Sequence, residues 1–448
     1  MAQGFPAATP GSSASGTRQP DYTAPLVVLT SLFFIWGFIT ALNDILIPHL
    51  RAVFTLSYVQ AMLVQFCFFT AYLVISVPAG HLVRRLGYKR GIIVGLVVAG
   101  LGCLLFYPAA GQASYAFFLG ALFILASGIT LLQVAANPYV TVLGPPETAS
   151  ARLNLTQAFN SLGTTLAPML GSVLILAVAV KPAEEVGRLG AAERAAYAAE
   201  QASSVQWPYV GLAAVLLLIA VVIALSKLPA IRESEPPAEL PQDAPRALHR
   251  THDSAWQYRH LVLGALGIFL YVGAEVSIGS FLVNFMAEPA VAGLPEERAA
   301  RYLSLYWGGA MVGRFIGAAL LKKVRPGHLL AFNALVVAAL LVLAMLVAGP
   351  VAMWALLAIG LFNSIMFPTI FSLAIEGLGR HTGEGSGVVC MAIVGGAIVP
   401  VAMGFFADRI GLLYAFFVPM LCYLYIAYYG LKGHCADAEP VPAAQRRA

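Results

Sequence analysis

Twelve apolar stretches, each long enough to cross a lipid bilayer, follow one another along the chain. Their approximate limits are 25–49, 58–82, 91–110, 114–142, 153–180, 207–227, 260–286, 302–321, 328–348, 351–375, 385–405 and 411–431. The hydrocarbon core of a bilayer takes about 20 helical residues to cross. No water reaches the backbone there, so a stretch of this kind must bond its own amides as a helix. Of the 448 residues, 60% are hydrophobic and 10% are charged. Soluble domains carry roughly 25% charged residues. The expected fold is therefore an all-α membrane protein of twelve transmembrane helices.

Most connections between the spans are very short. Two are longer, at 181–206 and 227–258, and the second carries Glu-Ser-Glu-Pro-Pro and Pro-Gln-Asp-Ala-Pro. It divides the spans into six and six. The expected units are a disordered tail at 1–24, a six-helix bundle at 25–227, a linker at 228–258, a second bundle at 259–432 and a tail at 433–448. The first 21 residues have no basic start followed by an apolar core, so no cleavable signal peptide is expected. Counted with the N-terminus inside, eighteen Lys and Arg fall in inner loops and tails and seven in outer loops. That excess places both termini and the middle loop on the cytoplasmic side of the cytoplasmic membrane. The net charge of +5 is spread over these loops rather than gathered in one patch, so nucleic acid is not an expected partner. The five cysteines form no CxxC pair and suit apolar packing.

The halves carry traces of a repeat. Span two runs into Gly80-His-Leu-Val-Arg-Arg-Leu-Gly-Tyr-Lys-Arg90, and span eight into Lys322-Lys-Val-Arg-Pro-Gly-His328. Span five holds Gly163, Pro168 and Gly171, where span eleven holds Gly395, Pro400 and Gly404. Small residues such as Gly163 and Gly171 let helices approach closely. Duplicated halves around a site at the membrane midplane are the usual build of a secondary transporter.

Polar residues inside the spans are the candidates for that site. Asn43 and Asp44 interrupt span one, and a carboxylate at such a depth usually faces a polar pathway. Glu275 lies fifteen residues after His260 and thirteen before Glu288, so roughly 20 Å from either end of its helix. It suits a group that takes and releases a proton or ligates Na⁺. Gln133, Asn137, Gln157 and Asn160 on spans four and five both donate and accept, which suits the hydroxyl groups of a polar ligand. Pro138 also frees a backbone carbonyl that a polar side chain can satisfy. Gln65, Asn284 and Asn363 are further candidates on the same chemistry. Trp36 and Trp307 offer aromatic faces for the apolar side of a ligand ring, although packing is the commoner role of such residues. Arg314, roughly 12 Å inside the inner surface, is expected to snorkel; its alternative is a pairing with an acid across the halves in one conformation. There is no phosphate-cradling Gly-Lys-Ser/Thr loop and no set of catalytic residues, and the eight histidines have no metal spacing. An enzyme is not expected. Neither is a cofactor, beyond a coupling ion, H⁺ or Na⁺.

Leu42-Asn-Asp-Ile-Leu-Ile-Pro48, Ala136-Asn-Pro-Tyr-Val-Thr-Val-Leu-Gly-Pro145, Arg152-Leu-Asn-Leu-Thr-Gln-Ala-Phe-Asn-Ser-Leu-Gly163 and Phe367-Pro-Thr-Ile-Phe-Ser-Leu373 carry a resemblance. The chain resembles the fucose–galactose–glucose–proton symporters of the major facilitator superfamily over almost its whole length. Leu132-Gln-Val-Ala-Ala-Asn137 and Val272-Gly-Ala-Glu-Val-Ser-Ile-Gly-Ser-Phe281 are similar to the glucose/galactose branch. The resemblance implies two pseudo-symmetric six-helix bundles, a monosaccharide substrate, and a role in proton coupling for Asp44. In the fucose branch a Glu stands where this chain has Gln133. The superfamily's loop after span two has an Asp where this chain has Arg84, so the cytoplasmic ion pair of that Asp is not carried over. The expected function is a monomeric importer of glucose- or galactose-type hexoses by cation symport. The alternatives are a symporter of L-fucose or another monosaccharide, a Na⁺-coupled symporter, or an uncoupled facilitator or exporter.

Overall fold

The computed structural model describes residues 22–54, 58–112, 114–174, 206–226, 253–347 and 349–435, with isolated positions between 190 and 229. Side chains at 42–62, 65, 168–174, 296–297 and 300 are not part of that description. The expected tail at 1–24, most of the loop at 181–206 and most of the linker therefore lie outside the described residues.

Fifteen helices and no strand are found among the described residues. They are α1 (Thr23–Phe54), α2 (Tyr58–Leu86), α3 (Tyr88–Gly111), α4 (Tyr115–Val142), α5 (Ala149–Leu174), α6 (Gln206–Leu225), α7 (Arg259–Ala287) and α8 (Glu296–Leu320). The remainder are α9 (Pro326–Leu346), α10 (Pro350–Asn363), α11 (Met366–Ala374), α12 (Thr382–Met391), α13 (Gly395–Ile410), α14 (Leu412–Ala415) and α15 (Phe417–Tyr428). The pairs α10–α11, α12–α13 and α14–α15 each make one broken span, so the fifteen helices supply twelve crossings. Ten crossings are long and apolar enough to be recognised as membrane spans among the described residues. The other two are α5, with Arg152 and a row of amides and hydroxyls, and α8, with a charged first turn and Arg314.

Proline explains one of the breaks. Pro368 has no N–H to give to the carbonyl four residues back, that of Ser364. Helix α10 ends at Asn363, one residue before that orphaned carbonyl, and α11 starts at Met366. Pro138 does the same to Val134 inside α4, and there the helix stays continuous.

The contacts between the halves are one arrangement repeated. Helix α5 packs on α8 and α11, and α2 and α4 pack on α12. If span n of the first half corresponds to span n+6 of the second, contact 5·8 maps onto 11·2 and contact 5·10 onto 11·4. This is the pseudo-two-fold relation that the sequence repeat predicts. The end rich in Lys and Arg is called the basic end below. There a Cβ on Gly387 would stand 2.6 Å from the Ser76 carbonyl oxygen of α2. Nothing larger than glycine fits without moving a backbone. Gly387→Val should therefore hold the basic end open. The expected result is lost uptake at normal expression, with faster labelling of a Ser372→Cys probe by an impermeant maleimide applied from that side. Unchanged labelling would count against the close approach as the reason for the glycine.

Arg84, expected to leave this loop without its cytoplasmic ion pair, takes part in one. Arg84 Nη1 lies 2.8 Å from Glu384 Oε1 on α12, in the other half. His81 Nε2 is 3.5 Å from the same oxygen, and His381 Nδ1 is 2.9 Å from Glu384 Oε2. Arg84 is half-exposed, so the pair orders the interface more than it stabilises the fold.

Candidate functional site

Two clusters of polar side chains face each other between the halves, one built on α2, α4 and α5, the other on α7, α8, α10 and α15. In the first, Gln133 of α4 donates to the hydroxyl of Tyr72 on α2. Gln157 of α5 donates through Nε2 to Asn137 Oδ1 on α4 at 3.4 Å. Asn137 is fully buried, and its Nδ2 has no partner among the described residues. The carbonyl that Pro138 frees on Val134 is taken by Ser386 Oγ of α12, at 2.8 Å and from the opposite half. Asn160 is used differently: its Nδ2 donates to the Phe33 carbonyl on α1 at 2.9 Å and so pins α5 to α1. Trp36 is buried in the same contact, with its ring 5.1 Å from that of Phe33.

The second cluster is organised by Asn363 at the break of span ten. Its Nδ2 donates to the Tyr306 hydroxyl at 2.8 Å, and its Oδ1 accepts from the Tyr423 hydroxyl at 2.8 Å. Its carbonyl accepts from the Tyr271 hydroxyl at 3.1 Å, and the same hydroxyl lies 2.8 Å from Glu275 Oε1. Asn363 and the three tyrosines are fully buried, whereas Glu275 keeps partial exposure. A buried amide that satisfies both ends of its side chain and its carbonyl is held in one orientation. Glu275 is thus held through one hydrogen bond, from a tyrosine that this frame also fixes.

Arg314 joins the clusters. Its Nε donates at 3.1 Å to the Ser364 carbonyl, the one that Pro368 leaves free. Its Nη1 reaches across to the Ser161 hydroxyl and, at 3.5 Å, to the Gln157 carbonyl on α5. The guanidinium also lies close enough to act electrostatically on Glu275. The snorkelling expected of this residue is corrected: the fork points between the halves, because a proline-freed carbonyl and a hydroxyl offer it acceptors there.

Among the sequence candidates, Gln133, Asn137, Gln157, Glu275 and Asn363 belong to these clusters. Asn284 stands exposed nine residues beyond Glu275, roughly 13 Å along α7, and is not brought to them. Trp307 is 45% exposed and packs edge-on against Tyr306. Asn43 and Asp44 lie on α1 and Gln65 on α2, with side chains outside the described residues. Sequence reasoning passed over Tyr72, Tyr271, Tyr306, Tyr423 and Ser161. Only Tyr271 left a usable signal: it sits four residues before Glu275 and so on the same helix face.

The sequence pattern of the Major Facilitator Superfamily matches residues 28–393. The chain is 57% identical over 433 residues to a protein of Brucella abortus biovar 1 (strain 9-941) named glucose/galactose transporter, covering 97% of this chain and 99% of that one. It is 39% identical over 408 residues to the L-fucose-proton symporter of Escherichia coli (strain K12), covering 91% and 92%. The crystal structure of a Major Facilitator Superfamily transporter, FucP, in the outward conformation superposes with a TM-score of 0.83 at 38% identity, covering 91% of this chain and 98% of that one. Twelve spans in two related halves, a polar site between them and a match over most of the length agree: the chain belongs to the major facilitator superfamily.

Proposed function

We propose that this protein is a secondary active monosaccharide transporter that imports glucose- or galactose-type hexoses with a proton, by alternating access. The name and near-complete coverage of the Brucella relative support the substrate class. The observation that carries the reading is the amide cluster of Gln133, Asn137 and Gln157, buried between the halves with the Asn137 Nδ2 donors left without a partner among the described residues. Amides that can both donate and accept are the chemistry that reads ring hydroxyls. Asp44 and Glu275 are the proposed proton carriers. Gln133, where the fucose branch has an acid, leaves this chain to couple through those two. We read the basic end as the cytoplasmic side of the cytoplasmic membrane, with both termini there, the units divided at 228–258, and the monomer as the working form. In this reading the interlocked basic end is the state closed to the cytoplasm.

Counterflow of labelled D-galactose in proteoliposomes tests the substrate. Unlabelled D-glucose and D-galactose should compete strongly and L-fucose weakly. Competition by L-fucose alone would move the chain to the other sugar. Replacing Gln157 by Ala should weaken sugar binding about tenfold, the cost of one or two hydrogen bonds. Calorimetry on the purified variant checks this, and unchanged affinity would make Gln157 structural.

A further inference from the structure

One face of α5 carries Ser150, Asn154, Gln157 and Ser161, spaced four, three and four residues apart, so all four line a single stripe. Each of them bonds to the opposite half or to its neighbour on the stripe. Ser150 Oγ and Ser372 Oγ of α11 lie 2.6 Å apart. Asn154 Nδ2 donates to Thr369 Oγ1 of α11 at 3.3 Å and to the Ser150 carbonyl at 2.9 Å. The Gln157 carbonyl and the Ser161 hydroxyl take Arg314. Asn154 and Thr369 are fully buried, and Asn154 Oδ1 has no partner among the described residues. Below the stripe, at the basic end, a cavity of about 780 Å³ is lined by Thr141, Ser150, Ser372, Glu376 and Thr382. The Ser150–Ser372 pair stands where this cavity meets the seam.

Leucines would close such a seam without burying polar atoms, and an unpartnered buried acceptor is destabilising. The hydroxyls and amides therefore ask for a use in the open state, when their partners across the seam withdraw. Steps of about 6 Å and about 4.5 Å along the stripe are short enough for one ring with its hydroxyls to hold two of them at once.

We propose that Asn154 and Ser150 of α5, with Thr369 and Ser372 of α11, form a second, inner sugar subsite that the ligand occupies between the Gln157 cluster and the basic-end cavity. This rests on the sugar reading above. When the halves part at the basic end, Asn154 Oδ1 accepts from a sugar hydroxyl and its Nδ2 exchanges Thr369 for another.

The test is the half-saturation constant of D-galactose counterflow measured from each face, in sided membrane vesicles, for the wild type, Asn154→Leu and Thr369→Val. Thr369→Val keeps the shape of its side chain and carries the test if Asn154→Leu does not fold. The expected result is a twofold to roughly tenfold rise in the constant at the basic face. A seam that only latches the closed state gives the opposite sign: weakening it populates the state open at the basic end, lowering the constant there and raising it on the other face. That pattern, or no change at either face, overturns the subsite. A wild type that exchanges neither D-galactose nor D-glucose overturns the sugar reading and the subsite together, and is recognised before any variant is measured.

Discussion

Replacing Asp44 by Asn is expected to abolish uphill accumulation of sugar while leaving exchange of sugar across the membrane intact. A neutral amide cannot take up and release a proton, so net symport stops. Exchange does not require the proton to leave, and continues. Glu275→Gln tests the second carboxylate in the same assay. The Tyr271 hydroxyl still finds an acceptor in the variant, since the Asn363 carbonyl is 3.1 Å away, so the frame survives the change. Lost accumulation with retained counterflow identifies the carrier. If both variants still concentrate sugar, coupling through these carboxylates is wrong, and a Na⁺ site of carbonyls and amides becomes the better account.

Arg314→Met should be almost as severe. It removes the bridge between Ser364 and Ser161, orphans the carbonyl that Pro368 had already deprived of its helix partner, and takes away the charge that acts on Glu275. An unsatisfied buried carbonyl costs about 1–3 kcal/mol, so thermal stability should fall measurably. Uptake should fall by about a hundredfold if the lost contacts total ~2.7 kcal/mol in the closed state. Arg314→Lys separates the roles. A lysine keeps the charge but not the fork that reaches two acceptors at once. It should restore stability in part and transport poorly. Full rescue by lysine would reduce Arg314 to a snorkelling cation.

Much of this arrangement is legible in the residues, and the reason differs from part to part. The spans are visible because a bilayer demands long apolar runs; several helices start before the expected limit where polar residues continue them, as at Ala149 rather than 153 in α5. Close packing at Gly163 was also readable: a Cβ there would stand 2.1 Å from the Phe34 carbonyl oxygen. The freed carbonyl before Pro138 could be expected from the proline alone. Its partner, Ser386, could not, because it comes from 252 residues away in the other half. The same holds for Arg314, whose direction is set by the break at Ser364 and by a hydroxyl on α5. Local chemistry is written locally, but partners across the pseudo-two-fold are written only in the packing. Glu384 shows this most plainly: no local rule pairs it with Arg84 of the other half.

The most direct test is the movement of protons with sugar. Purified protein in proteoliposomes, without a membrane potential and without Na⁺, is given D-glucose or D-galactose while external pH is followed. Proton symport predicts prompt alkalinisation outside as sugar enters, its size unchanged by added Na⁺ and its appearance lost in Asp44→Asn. Sugar entry with no pH change, or entry that requires Na⁺, would contradict it.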